Sequence, residues 1–501
     1  MSKYGIQMMQ NVRKHNFMPE EIYSEKNRMA DDGSLAKVLF YDIVRQTRLP
    51  AGLASVDASN CYDSIAHAIA SLVFQSFGVS EEAVTSMLEA IQEMKFYLRT
   101  AFGDSKTCAG SEIQVKTQGL CQGNGASPAG WAVISITILN AHKKKGHGAQ
   151  IVCPISNLKG HLAAILYVDD ADVVHLRMEE REDAVDSHSA LQESVINWGR
   201  LLIATGGALK PAKCFYHLIS FDFKPDGRWS YAKNELNEDF DVVVPMPGGG
   251  FTAIEHLSVD TASKTLGVKT CPSGKAEGAL ERIRKRAQEW VDLVKNGKMH
   301  RRQVWFSVDR QFWPKVGYGL SSVSATFAQL ESSLKGPHYQ LLPYGGVIRT
   351  CKAPFRQLDR GFYGVGLPHV GIENLVECSN KLLMHYGCST GLGLKMQTSM
   401  ELLITELGLS FQPFSAKYSL AEKWVTFGWL KMLWEKIDKF GMEIRVNNVE
   451  LGFGREEDSW LMESLLQAGY SEGELVRLNR VRIHQQVLFL SDVLCAKGKK
   501  T

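Results

Sequence analysis

The chain has 501 residues, 45% hydrophobic and 22% charged, with a formal net charge of +3. Such a length supports about two to four domains around a sizeable core. The composition excludes a disordered or fibrous chain, and near-neutrality leaves any nucleic-acid argument to local patches. Ten cysteines, scattered without a CxxC pair, predict reduced intracellular thiols rather than a disulfide framework or a zinc knuckle. The start shows no signal-peptide pattern, and no apolar run approaches the ~20 residues of a membrane span. A soluble, intracellular protein with no membrane partner is expected.

In chain order, the polar turn Met29–Ser34 starts a helix through Leu35–Gln46. Residues 52–57 (GLASVD) read as a short β run. Ala66–Thr100 reads as helices broken near Gly78-Val79-Ser80, where Ser80 with Glu81 and Glu82 marks a helix start. Val115–Leu120 leads into a Gly-rich turn, and Ala129–Lys143 into another helix. Leu162–His175 alternates as a hairpin, and Glu179–Ile203 returns to helical periodicity. Phe215–Phe223 and Trp229–Tyr231 suggest strands about the turn Pro225-Asp226-Gly227, and Pro245–Gly250 is a loop. Thr265–Thr270 is a short strand, and Ala276–Asn296 a basic helix. The rest is largely helical, with breaks at Gly336-Pro337, Gly345-Gly346, Gly364–Pro368 and Gly452–Gly454, and a solvated tail from Lys497 to Thr501.

Three segments belong together. Val56–Ile65 (VDASNCYDSI) places Asp57 at the close of a β run. Gln118–Pro128 (QGLCQGNGASP) supplies Gly119, Gly123 and Gly125 for close backbone approach. Tyr167–Asp170 (YVDD) sets two aspartates inside an apolar hairpin, where carboxylates are costly unless paired or metal-bound. Two aspartates alone would ordinarily mark a solvated turn; the apolar flanks and the companion segments reverse that. Nucleotidyl transfer uses two divalent ions held by carboxylate oxygens, and an Asp ending one strand beside an Asp pair on a neighbouring hairpin has that character.

These segments resemble the palm motifs of reverse transcriptases, particularly those of non-LTR (LINE-type) retrotransposons. VDASNCYDSI matches the first carboxylate motif, Gln122-Gly123 with Ser127-Pro128 the QGxxxSP pattern, and YVDD the (Y/F)xDD box. Leu209–Cys214 (LKPAKC) resembles the lysine-bearing motif at Lys213, and Thr265–Val268 (TLGV) the LG strand beside the primer grip. Gly364–Pro368 more weakly resembles a Gly-rich segment of such elements.

The resemblance implies an α+β right-hand polymerase with an antiparallel-sheet palm, partial fingers, a helical thumb and a largely helical C-terminal region. It implies fingers and palm over residues 1–270, a thumb-like region over 275–345 and a helical region over 346–501. It implies that Asp57, Asp169 and Asp170 are catalytic and bind two Mg²⁺ ions, with Mn²⁺ as a substitute. Tyr62 would be a steric gate against a 2′-hydroxyl. Gln122 and Gly123 would contact the template or nascent pair, and Lys213 the nucleotide phosphates. The implied partners are an RNA template, a DNA primer and dNTPs, in the nucleus if priming occurs on target DNA.

On the helix after the LG strand, Arg284, Lys285 and Arg286 would touch the duplex backbone, although such a run ordinarily makes a solvated face. His142–Lys145 either does likewise or ends a helix, where cations suit the dipole. Trp290, Trp305 and Trp313 read as core residues. Asp63 and Asp172 are read as structural, their positions pointing away from the shared site, and Arg28 as a basic fingers residue. Only 56 residues precede Asp57, which against the family implies shortened fingers. A decayed, binding-only fold and an RNA-dependent RNA polymerase therefore stand as alternatives; Tyr62 and YVDD argue against the latter.

Overall fold

The computed structural model describes residues 2–108, 118–180, 182–233, 241–410, 412–420, 422–445 and 458–494. Part of the run before the Gly-rich turn, the break at Gly452–Gly454 and the tail from Lys497 lie outside them. Among the described residues, no helix is long and apolar enough to cross a membrane.

Helix α1 (Ser2–Lys14) precedes α2 (Ala30–Thr47). The turn read as a helix start does that work: the Asp32 carboxylate accepts the Met29 N–H at 3.0 Å, closing the first turn of α2. Strand β1 (Ala51–Ser59) leads to α3 (His67–Ser76) and α4 (Glu81–Gln92). Gly78 at φ 83° and the Ser80 hydroxyl, which accepts the Ala83 N–H, make the expected break. The helix expected to reach Thr100 stops at Gln92. Beyond it β2 (Arg99–Thr100) and β3 (Gly103–Asp104) form a small exposed hairpin, tied by Arg99 and Asp104 at 2.7 Å.

Helix α5 (Ser127–Lys144) is followed by β4 (Ala149–Val152), β5 (Lys159–Leu162), β6 (Ala164–Tyr167), β7 (Asp170–Arg177) and α6 (Ala184–Ala204). Short strands then succeed one another: β8 (Ala208–Leu209), β9 (Phe215–Ile219), β10 (Phe221–Phe223), β11 (Trp229–Tyr231), β12 (Val243–Pro245), β13 (Phe251–Ala253) and β14 (Glu255–His256). The single strand expected over Thr265–Thr270 is instead a hairpin of β15 (Ser263–Thr265) and β16 (Val268–Thr270). Leu266 and Gly267, at φ 47° and 84°, supply the two left-handed residues of a tight turn.

The main sheet runs β14-β9-β1-β7-β4-β5, with β6 also on β7 and β8 on β1. It is mixed rather than antiparallel. Its centre, β9-β1-β7-β6, is antiparallel, but β14 lies parallel to β9 and β4 parallel to β7. Reversals at the β4–β5 and β6–β7 turns bring the chain back to its original direction.

Alternation along β1 and β7 divides the core. Ala54, Val56, Ala171 and Val173 pack with Ile134 and Ile138 of α5 and Leu191 and Trp198 of α6. On the other face, Leu53, Val174 and Leu176 pack with Leu39 and Ile43 of α2.

Beyond the sheet come α7 (Glu277–Asn296), α8 (Arg301–Ser307), α9 (Trp313–Gly317) and α10 (Phe327–Leu341). They enclose a separate core containing Trp290 and Phe312, with Trp305 and Trp313 packed against it. Helix α10 runs through the expected break at Gly336-Pro337, with Pro337 buried inside it at the loss of one backbone donor. Helices α11 (Ala353–Gln357), α12 (Val370–His385), α13 (Gly391–Leu407), α14 (Trp429–Lys439), α15 (Leu461–Gln467) and α16 (Glu472–His484) complete the chain. Met396, Leu403 and Trp434 join the α2 face of the sheet in one core. Buried polar bonds secure the join: Asp42 accepts the Trp429 N–H at 2.6 Å, and Gln46 donates to the Ser399 carbonyl at 3.0 Å.

Lys37 of α2 lies 3.0 Å from Asp172 on β7, the two side chains 0% and 5% exposed, and also donates to Thr265 Oγ1 at 2.8 Å. Removing one partner of such a pair strands a buried charge. Asp172→Asn is expected to cost about 3–5 kcal/mol, and Lys37→Met/Asp172→Leu distinctly less; urea unfolding midpoints check both.

Candidate active site

Strand pairing brings the first two acids together. In the antiparallel β1–β7 ladder Asp57 stands directly opposite Asp170, and opposed residues share a face. Asp169 sits in the two-residue turn joining Tyr167 to Asp170. That turn places Val168 at φ 57°, a conformation costly for a β-branched residue. Trp131 of α5 braces it, its indole N–H donating to the Val168 carbonyl at 2.7 Å.

Asp172 also faces this side, since residues i and i+2 of a strand point alike. The expectation that it points away is therefore corrected. It is kept out of the cluster by depth and by Lys37, not by direction.

The LKPAKC segment returns to the end of β1. β8 pairs with Ala58 and Ser59, the Lys210 N–H donates to the Asp57 carbonyl at 2.9 Å, and a 3-10 turn, Pro211–Lys213, follows. This places Lys213 Nζ 2.9 Å from Asp57 Oδ2 and 3.3 Å from Oδ1. The hydrogen bond to Asp57 holds the Lys213 ammonium above its ordinary pKa. Asp170 is pushed up to about 6 by partial burial and by the charges of Asp169, Asp172 and Asp57.

The first and second motifs are clamped to each other. After β1 a tight turn, with Asn60 at φ 48°, carries Tyr62 and Asp63. The Leu120 N–H donates to the Tyr62 carbonyl at 2.6 Å and the Gly119 N–H to the Ile65 carbonyl at 3.0 Å. Gly119 has no substitute here: at φ 82°, a Cβ would lie 2.4 Å from the Asp63 backbone. Asp63 accepts the Gln122 N–H at 3.1 Å, so its structural role is to fix the loop that presents Gln122. His67 holds the Gly119 carbonyl at 2.7 Å and is itself held by Gln92. Gly123 (φ 93°) has open space about it, and the Gln122 side chain is exposed.

The Tyr62 ring, half-buried, lies 6.2 Å from the ring of Trp131. Both line a cavity of about 200 Å³ together with Val168, Leu166 and Met18.

The structure thus gathers Asp57, Asp169, Asp170 and Lys213, with Tyr62, Gln122 and Gly123 on the adjoining turns. The basic cluster lies elsewhere, on α7. Arg284 and Lys285 are exposed there, while Arg286 donates to the Lys315 carbonyl at 2.9 Å. Arg28 is no free fingers cation: it staples its own loop through the Pro19 and Ile22 carbonyls. His142 is buried, contacting Ser194 and Asn197, and Lys143 pairs with Glu21. Sequence reasoning missed Trp131, Lys37 and the His67–Gln92 clamp. An indole four residues after Ser127 was the one visible signal.

Among the described residues, no group of three or more His, Cys, Asp or Glu side chains is arranged to hold a metal ion as it stands. The donor chemistry nevertheless suits a hard divalent cation. The acids are carboxylates, and Asp170 is raised by partial burial first and then by the charges of Asp169, Asp172 and Asp57, while Lys213 is engaged by Asp57.

The sequence matches no protein-family model and no curated protein. Among solved structures, a telomerase from Candida albicans, in complex with a TWJ fragment of telomeric RNA, aligns with 10% identity and a TM-score of 0.33. The alignment covers 89% of this chain and 59% of that one.

A carboxyl raised in the folded state binds more protons there than when unfolded, so stability falls as pH rises through that window. In EDTA, Asp170 destabilises the fold progressively from about pH 4 to about pH 6. Asp170→Asn is expected to match wild type near pH 4 and to exceed it above pH 6 by on the order of 1 kcal/mol, a discounted figure because solvent screens the group. Thermal unfolding against pH checks this.

Proposed function

We propose that the chain is the polymerase portion of a reverse transcriptase of the non-LTR retrotransposon type, adding deoxynucleotides to a primer 3′-end on an RNA template. The observation that carries the reading is the register opposing Asp57 to Asp170, with Asp169 on the strained turn between β6 and β7. Asp57, Asp169 and Asp170 would hold two Mg²⁺ ions, whose chemistry there is activation of the primer 3′-oxygen and neutralisation of the departing pyrophosphate.

The remaining steps belong to side chains. Lys213 exchanges its contact with Asp57 for the incoming triphosphate, placing a cation where charge builds on the leaving group. The Tyr62 ring excludes a 2′-hydroxyl by volume, needing no hydrogen bond. Gln122 lies against the nascent base pair, on a loop whose position Asp63 and His67 fix. Arg284 and Lys285 meet backbone phosphates as the duplex leaves.

Purified protein is expected to extend a DNA primer on RNA with dNTPs in Mg²⁺ or Mn²⁺, and Asp169→Asn to abolish extension. A folded wild type that extends no primer under any of these conditions overturns the reading in favour of a binding-only fold. Tyr62→Ala is expected to lower dNTP-over-rNTP selectivity by at least about tenfold, or about 1.4 kcal/mol of discrimination. Single-nucleotide incorporation kinetics measure it.

A further inference from the structure

The far end of β1 from Asp57 leads back to Arg48, roughly 20–30 Å away at strand rise. A cleft of about 500 Å³ opens there, between the end of α2, the β10–β11 hairpin, segment 423–427 and α16. It is a built site. The hairpin docks on α16 through the rings of Phe223 and His484, 5.6 Å apart. Gly227 lies so near the Arg480 backbone that a Cβ there would sit at 3.3 Å.

The lining is cationic and aromatic. Arg45, Arg48, Arg228, Lys275, Lys423 and Arg480 face a single lining carboxylate, Asp260. Trp229, Tyr231, Trp424 and Phe427 supply the rings. The inner guanidiniums are fixed: Arg48 lies 5.8 Å over Trp229 and 3.3 Å from Glu406, and Arg45 lies 6.0 Å over Phe427. The outer cations are held only by exposed pairs, Arg228 with Asp226 at 2.5 Å, and Lys275 with Asp260 and Lys423 with Glu472 at 2.8 Å each. Such pairs are weak and exchange readily for another anion. Arg480 shares with Arg228 the charge of the exposed Asp226.

Cations that track a backbone beside rings that accept bases are the means by which single strands are bound. RNA in particular is read through unstacked bases set against aromatic and guanidinium planes. The cleft also falls in the size range of sites for small ligands, enough for a nucleotide unit and too small for a protein element. We infer that this cleft binds an unpaired segment of RNA, its phosphates on Arg480 and Arg228 and a base among Trp229, Tyr231 and Phe427, anchoring the strand away from the carboxylates. The choice of RNA rests on the proposed polymerase function; the site itself rests on the cleft.

The test uses the full-length protein and a fluorescein-labelled oligouridine dodecamer without primer, so no catalysis is needed. Arg228→Glu/Arg480→Glu, both outside the cores, is expected to weaken binding at least tenfold. It is also expected to reduce the slope of log affinity against log salt by about 1.4, two phosphate contacts at about 0.7 each. A 4-thiouridine version should photocrosslink to the peptides carrying Trp229–Tyr231 or Trp424–Phe427. Wild-type affinity and slope in the double variant, or crosslinks confined to the helix of Arg284 and Lys285, overturn the inference. Cleft binding intact in a protein that extends no primer overturns the polymerase reading alone.

Discussion

The pairing of β1 with β7 is the constraint on which the rest depends. β1 is central, with β9 and β7 on its two edges and packed layers on both faces. A slip of one residue would exchange its two faces, sending Leu53 and Ala54 into each other's core and parting Asp57 from Asp170. Register is therefore fixed by apolar packing well away from the acids. Lys37, reaching from α2 to Asp172 two positions deeper than Asp170, adds an electrostatic lock on the same face.

Having set the register, the fold tolerates two local costs at its edge. One is Val168 in the left-handed region, the other the partial burial and neighbouring acids that raise Asp170. Lys37 partly offsets the second, and α5 braces the first. Its indole at Trp131 secures the Val168 carbonyl, while its aliphatic face is sealed against α6. The same ring stands beside Tyr62, so the turn bearing the acids and the ring proposed to judge the sugar share one support.

What the sequence made legible follows from how local each signal is. Helix α2, the break at Gly78, the β6–β7 hairpin and α7 were all readable, because caps, glycine and alternation are encoded within a few residues. The motifs single out Asp57, Asp169, Asp170 and Lys213, and the structure sets Asp57 opposite Asp170, Asp169 in the adjoining turn and Lys213 against Asp57. The reading failed where tertiary contacts decide. Pro337 ought to break a helix on propensity, yet α10 runs through it with the proline buried. The hairpin at Leu266-Gly267 needed two successive left-handed residues, one of them a leucine no local rule would choose. Asp172 was judged by sequence adjacency, whereas strand period and a lysine 135 positions earlier govern it. Parallel pairing of β4 with β7 is likewise invisible until both hairpins are folded.

The C-terminal helices then acquire a mechanical meaning. Had they formed a body of their own, α2 would keep its sheet-facing contacts but lose those with α13 and α14, exposing buried apolar surface on its outer side. Instead α13 and α14 close over α2, with Asp42 receiving the Trp429 N–H and Glu401 receiving those of Ile155 and Ser156 beyond β4. These are bonds between backbone and buried carboxylate, strong because the acceptor is charged. They tie α14 to α2 and α13 to the loop after β4, residues far apart in the chain. The acids at the tip of β1 are thus held from two directions: by α5 and α6 on one face, and through α2 by the C-terminal helices on the other. A substitution at Asp42 or Glu401 would reach the site by loosening α2, and hence Lys37, without touching a single carboxylate in it.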